Sequence, residues 1–166
     1  MKNIIYILSI LFIASCASSP QECETKANGF IDGVEGQVTM GEQSSVEVFN
    51  QIDKAWAELD YETLKTFVAE GAEMRFYDGR VAVGPEEFVE MIKIWVSEIE
   101  DDKGNEYAWN TDYAFSLAVT SIDGDWVNAQ FTSTHTNPES KLEAEVIYEF
   151  YHIVDGKIQE WSQFKR

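Results

Sequence analysis

The sequence predicts an α+β domain: three N-terminal helices followed by an antiparallel sheet that takes up the rest of the chain. Apolar residues recur at three- and four-residue spacing between 44 and 99, which is the period of a helix with one buried face. From Glu106 onward the pattern changes to strand-like runs cut by Asp-Gly and Asn-Pro turn signals. The chain of 166 residues is 45% hydrophobic and 13% aromatic, enough to bury a core despite a net charge of −18. No basic stripe offsets that charge, so nucleic acid and anionic headgroups are excluded as partners.

The first helix opens at Ser44, which with Glu47 fits a capping box, and carries Val48, Phe49, Ile52, Trp56 and Leu59 on one face. Asp60 caps a second, short helix bearing Leu64, Phe67 and Val68, which ends at Gly71. Residues 72–78 alternate as a strand, with Ala72, Met74, Phe76 and Asp78 on one side. Gly84-Pro85 starts the third helix, because proline suits a first turn, and Phe88, Ile92, Trp95, Val96 and Ile99 form its apolar stripe.

Turn chemistry sets the expected sheet register. A three-residue loop at Asp123-Gly124-Asp125, with glycine at positive φ, pairs Val119 with Ala129, Leu117 with Phe131 and Tyr113 with His135. A four-residue loop at 137–140 sets Phe131 against Val146 and Ala129 against Tyr148. A two-residue hairpin at Asp155-Gly156 sets Phe150 against Trp161, Tyr148 against Gln163 and His152 against Gln159. In that register Tyr113, Tyr148 and Phe150 look inward. Ile147, Tyr151, Ile153, Ile158 and Phe164 form an apolar outer face, and such a face predicts a homodimer.

The N-terminus has the order of a secretory signal: Lys2, an apolar run from Ile4 to Ala14, then small residues. Ile13-Ala14-Ser15-Cys16 resembles a bacterial lipobox. That resemblance implies a signal peptide over 1–15, lipidation at Cys16, a tether over 16–43 and a domain over 44–166. The protein would be held in the bacterial cell envelope, on the periplasmic side or the cell surface, touching the membrane only through its anchor. Cys23 would remain as a lone thiol, so no intrachain disulfide framework is expected.

The passages "AWAELDYETLKTFVAEGAEMRFYDG", "GPEEFVEMI" and "YEFYHIVDGKIQEWSQF" resemble the SnoaL-like, or nuclear-transport-factor-2-like, superfamily over residues 44–166. The resemblance implies that the sheet curves strongly around the helices as a cone with a pocket inside. Its members include isomerases, polyketide cyclases, epoxide hydrolases, dehydratases and plain binding modules, so fold does not choose among them. Ungapped comparison with ketosteroid isomerases puts their catalytic positions at Ile52 and Phe76, and strand parity puts the third near Phe150. All three are apolar and cannot move a proton, so that mechanism is not expected.

Four residues remain as catalytic candidates. Asp78 is either a base at the pocket mouth or a turn residue bonding its neighbours. His135, paired with Tyr113 beside Ser133 and Ala144, is either an acid–base group or a core histidine. Tyr148, opposite Gln163, is either a ligand donor or satisfied on backbone. Trp56, Trp95, Phe150 and Trp161 complete the expected ligand-binding set with Tyr113, His135, Tyr148 and Gln163. Neither metal-ligand spacing nor a phosphate-binding loop is present, so no metal or cofactor is expected. The expected function is an envelope lipoprotein binding a small, largely apolar molecule with no defined reaction. The alternatives are a cofactor-independent cyclase, isomerase, hydratase or hydrolase, and an assembly module acting through the outer sheet face.

Overall fold

The computed structural model describes residues 26–100, 107–135 and 144–166, with only the backbone given for Ile99, Glu100, Tyr107 and His135. Within these, the elements in chain order are β1 (Val38–Met40), α1 (Gln43–Ala57), α2 (Tyr61–Thr66), β2 (Val68–Arg75), β3 (Val81–Val83), α3 (Gly84–Glu100), β4 (Tyr107–Val119), β5 (Asp125–His135), β6 (Val146–Val154) and β7 (Lys157–Lys165). The strands form one seven-stranded sheet in the order β1-β4-β5-β6-β7-β2-β3. The expected α+β class holds. The sheet is not wholly antiparallel, however, because β2 runs parallel to β7. A parallel neighbour needs a long crossover, which the stretch from β3 through β6 supplies.

Two further expectations change at the N-terminal side. Val38–Met40, inside the stretch read as a tether, pairs with Val119–Leu117 as an edge strand. Helix α1 starts at Gln43 with no side-chain cap of its own, so the Ser44 capping box is absent. Asp125 takes over the role from β5, accepting Glu42 N–H at 2.9 Å and Ser45 Oγ–H at 2.6 Å. Asp60 does cap α2, accepting Thr63 N–H at 3.1 Å. That helix ends at Thr66, and Val68 already belongs to β2.

The core lies between the helices and one sheet face. Trp161 is fully buried at its centre, with ring centroids 5.0 Å from Phe76, 5.6 Å from Phe88 and 5.8 Å from Trp56. Burying aromatic rings of this size, edge-to-face for Phe76 and Phe88 and tilted for Trp56, supplies both area and orientation to the packing. Phe49, Ile52, Leu64, Phe88 and Ile92, all on predicted helix faces, are fully buried.

Two β-bulges decide which strand residues reach that core. In β4 the pairing shifts between Thr111 and Tyr113, leaving Asp112 as the extra residue. Its carboxylate is held by Gln130 Nε2 at 3.0 Å and Thr132 Oγ1 at 2.8 Å. One added residue flips the parity, so Ala114 and Ser116 turn inward and Tyr113 and Phe115 stay exposed. In β7 the pairing shifts after Ile153↔Ile158 and resumes at His152↔Glu160, so Gln159 is the extra residue. Ile158 and Trp161 can then both point inward. The β5–β6 pairing is Phe131↔Ile147, one residue from the expected register. The β4–β5 connection is longer than expected, with Ala118 opposite Asp125.

The expected outer face is therefore corrected. Ile147, Tyr151, Ile153 and Ile158 are 5%, 1%, 3% and 0% exposed and belong to the core; Phe164 alone of that set is exposed. The outward face instead carries Tyr113 stacked on Phe115, Phe150 edge-on to Phe164, and Trp126 stacked on His152.

The turns agree with the signals that announced them. Asp155 and Gly156 both have positive φ, the mark of a type I′ hairpin. Gly124 has φ 80°, and a Cβ there would stand 2.2 Å from the Ile153 carbonyl oxygen; at Gly156 a Cβ would meet nothing within 4 Å. Gly156→Ala is thus expected to lower the unfolding free energy by about 1–2 kcal/mol, the left-handed penalty alone. Gly124→Ala adds a backbone clash and is expected to cost roughly 3 kcal/mol or more. Urea denaturation of both variants checks the packing of this turn on the β6–β7 hairpin; equal losses would contradict it.

Candidate functional site

At the end of the sheet where β4 and β6 begin and β5 and β7 finish, a cavity of about 30 Å³ opens to solvent. Its lining comes from Asp53 and Trp56 of α1, Trp95 of α3, Trp109 of β4, Phe131 of β5, Ile147, Glu149 and Tyr151 of β6, and Gln163 of β7. Helical spacing brings Asp53 to the same side as Trp56, and strand alternation brings Ile147, Glu149 and Tyr151 to one face. A second depression, about 370 Å³, lies against Glu42, Ser45, Val48 and Gly156. It is wider but shallower, and its buried carboxylate, Asp125, is already committed to the start of α1.

The chemistry of the smaller cavity centres on Glu149, which is 6% exposed. Its carboxylate accepts hydrogen bonds from the Tyr151 hydroxyl, from Trp161 Nε1 at 3.2 Å and from Gln163 Nε2 at 2.8 Å. Asp53 accepts from Trp109 Nε1 at 2.8 Å and Thr111 Oγ1 at 3.0 Å. None of the ion pairs formed among the described residues involves Glu149 or Asp53. Burial pushes the Glu149 carboxyl above its ordinary value; the three donors oppose this, and the charge on Asp53 adds to it. Burial likewise raises the Tyr151 phenol well above its ordinary value, with the Glu149 charge adding to the effect, so Tyr151 stays a donor at neutral pH.

Of the residues singled out in the sequence, Trp56, Trp95 and Gln163 line the cavity, and Trp161 lies beneath it as a donor to Glu149. Tyr113 and Phe150 are exposed on the opposite face, where Tyr148 lies opposite Phe164. The His135 side chain lies outside the described residues, as do Cys16 and Cys23. Asp78 is in a turn: it accepts Arg80 N–H at 3.0 Å and Arg80 Nε–H at 2.6 Å. The side-chain bond from Arg80 lowers its carboxyl below the ordinary range. Ser133, expected to leave room beside a ligand, is fully buried with its hydroxyl accepting Glu145 N–H at 2.8 Å.

No family model matches this sequence, and no curated protein matches it. Solved structures do. An LEH-like epoxide hydrolase from Mycobacterium tuberculosis superposes with a TM-score of 0.54 at 10% identity, covering 74% of this chain and 82% of its own. An NTF2-like protein of unknown function from Cytophaga hutchinsonii gives 0.53 at 11%, covering 80% and 95%. A protein assigned as a SnoaL-like polyketide cyclase from Shewanella putrefaciens gives 0.55 at 14%, covering 75% and 90%. The fold is SnoaL-like.

Identities this low carry the fold and no residue roles, so the site of this SnoaL-like domain rests on its own geometry. Glu149 and Tyr151 were missed in the sequence because the assumed register turned them to the outside, while Asp53, a polar residue on a helix, and Trp109, before the first strand position read as inward, carried no signal of their own. The same correction bears on the isomerase comparison. The inward β6 positions beside Trp161 and Gln163 are Tyr151 and Glu149, not Phe150. Ile52 and Phe76, the other two positions, are buried in the core.

A raised carboxyl pKa makes stability depend on pH with a definite sign. The folded state holds the Glu149 proton to higher pH than the unfolded state, so this group subtracts stability as pH rises above the ordinary 4.5, until the folded carboxyl has ionised. Glu149→Gln lacks that loss. Denaturation across a pH series should show the variant's stability relative to wild type improving as pH rises through this window. A difference that is flat, or that moves the other way, would contradict the assignment.

Proposed function

We propose that this chain is an envelope lipoprotein, anchored through Cys16, whose SnoaL-like domain binds a small, largely apolar molecule in a pocket between the three helices and the curved sheet. One observation carries the binding part of the reading: a carboxylate buried to 6% exposure, Glu149, sits in the wall of a cavity open to solvent, where indoles and apolar side chains are joined by only Asp53, Tyr151 and Gln163 as further polar groups. A few placed polar groups inside an apolar concavity are what orient a bound ligand. Ligand-observed NMR with a set of small apolar compounds on the full chain tests it. Trp95→Ala should weaken binding at least tenfold, while Tyr113→Ala and Tyr148→Ala, on the far face, leave it unchanged. Binding that follows Tyr148 and ignores Trp95 would refute this location.

Proton transfer is the second reading. Glu149, raised by burial and faced by Asp53, has the environment of a general acid or base. Among the neighbouring folds are proteins named for ketosteroid isomerase, epoxide hydrolase and polyketide cyclase activities, and reactions of these classes are the candidates for this chain.

Pairing of two copies through the sheet remains part of the proposal, moved to the face that carries the exposed aromatics. Phe150 and Phe164 are 39% and 56% exposed and pack edge-to-face. Phe150→Asp with Phe164→Asp is expected to convert a dimer to a monomer in analytical ultracentrifugation without altering ligand binding. An unchanged sedimentation coefficient, or a wild-type monomer, would remove this part.

A further inference from the structure

We propose that the molecule taken by this cavity is an organic cation: a primary ammonium group on an apolar body, its head between Glu149 and Asp53 and its body leaving past Trp95. The inference rests on the cavity being the binding site and adds the class of ligand. Four observations lead to it.

The walls come first. Trp56, Trp95 and Trp109 come from three different elements and converge on one small space. Indole faces are the best aromatic partners for a cation, because their quadrupole presents negative charge to it. The second observation is uncompensated charge. Glu149 is 6% exposed, yet its described partners are a phenol, an indole and an amide, all neutral donors. Asp53, in the same lining, also receives only neutral donors, from Trp109 and Thr111. Two carboxylates facing one apolar cavity repel, and a cation between them relieves both charges at once.

Third, acceptor capacity is left over. A carboxylate offers about four lone-pair sites. Asp53 accepts two hydrogen bonds and Glu149 three from the described residues, so each retains a place for an N–H donor. Fourth, the space is small. About 30 Å³ receives a compact head, not a whole ligand, which favours –NH₃⁺ over a methylated ammonium and leaves the body at the open mouth. A divalent metal fits less well. Calcium and magnesium take six or more oxygen ligands and zinc four, whereas the described residues form no group of three or more metal-ligating side chains. The net charge of −18 gives any cation a favourable approach.

The test uses n-butylammonium chloride and n-butanol, two probes of equal length that differ in charge at the head. Binding to the full chain is read by tryptophan fluorescence and by isothermal titration at constant ionic strength. The proposal expects n-butylammonium to bind at least tenfold more tightly than n-butanol. It expects Glu149→Gln and Asp53→Asn each to remove most of that preference while n-butanol binding persists. Because Glu149→Gln could disturb packing, Asp53→Asn, on the cavity's other wall, serves as the second variant. Equal affinity for the two probes would overturn the cation assignment and leave the cavity standing as a neutral-ligand site, and a preference that survives both substitutions would overturn it by placing the ammonium group away from Glu149 and Asp53. No binding of either probe would overturn both.

Discussion

A carboxylate enters a protein interior only if donors are brought to it, and in this domain the donors fix the strands. Glu149 needs Tyr151 from its own strand and Trp161 and Gln163 from the next. That requirement ties β6 to β7 in one register, with Tyr151 opposite Trp161 and Glu149 opposite Gln163. Trp161 in turn sits against Phe76, Phe88 and Trp56, so the polar cluster and the aromatic core share one residue. Packing holds the indole, the indole holds the carboxylate, and the carboxylate forms part of the cavity wall.

The helices were legible because their pattern has one solution. Phe49, Ile52 and Trp56 fall on one face of α1 whatever the neighbours do, as do Phe88 and Ile92 of α3. The type I′ turn at Asp155-Gly156 and the positive φ of Gly124 were legible too, since local sterics dictate them. The sheet was not, because a strand has only two faces and a single inserted residue exchanges them. "VIYEFYHIV" is apolar in both phases: Val146, Tyr148, Phe150 and His152 in one, Ile147, Glu149, Tyr151 and Ile153 in the other. The aliphatic residues Ile147, Ile153 and Ile158 marked the interior. Tyr148 and His152 carry polar tips suited to the outside. The register taken from the Asp155-Gly156 turn and the 137–140 loop overrode that signal, because the extra residue Gln159 shifts the pairing beyond the turn.

The bulges themselves leave no strong trace in the sequence. Asp112 and Gln159 are ordinary polar residues in polar surroundings, and only the partners of Asp112, Gln130 and Thr132, show why an extra residue is accepted there. Both bulges bear on the site. The one at Asp112 lets β4 present Trp109 and Thr111 to Asp53 while turning Ala114 toward the core and Ser116 toward the start of α1. The one at Gln159 lets Ile158 and Trp161 both face inward. Bulges of this kind re-aim side chains, and here they aim two indoles at two carboxylates.

The most direct check of this account is the titration of the Glu149 carboxyl itself, followed by its ¹³Cδ shift in the folded full chain. The account predicts a midpoint above the ordinary 4.5, with the Asp53→Asn variant shifted downward relative to wild type because one like charge has been removed. A midpoint at or below 4.5, insensitive to Asp53, would contradict it: burial would not govern the Glu149 proton, and the two carboxyls of this site would not sense each other.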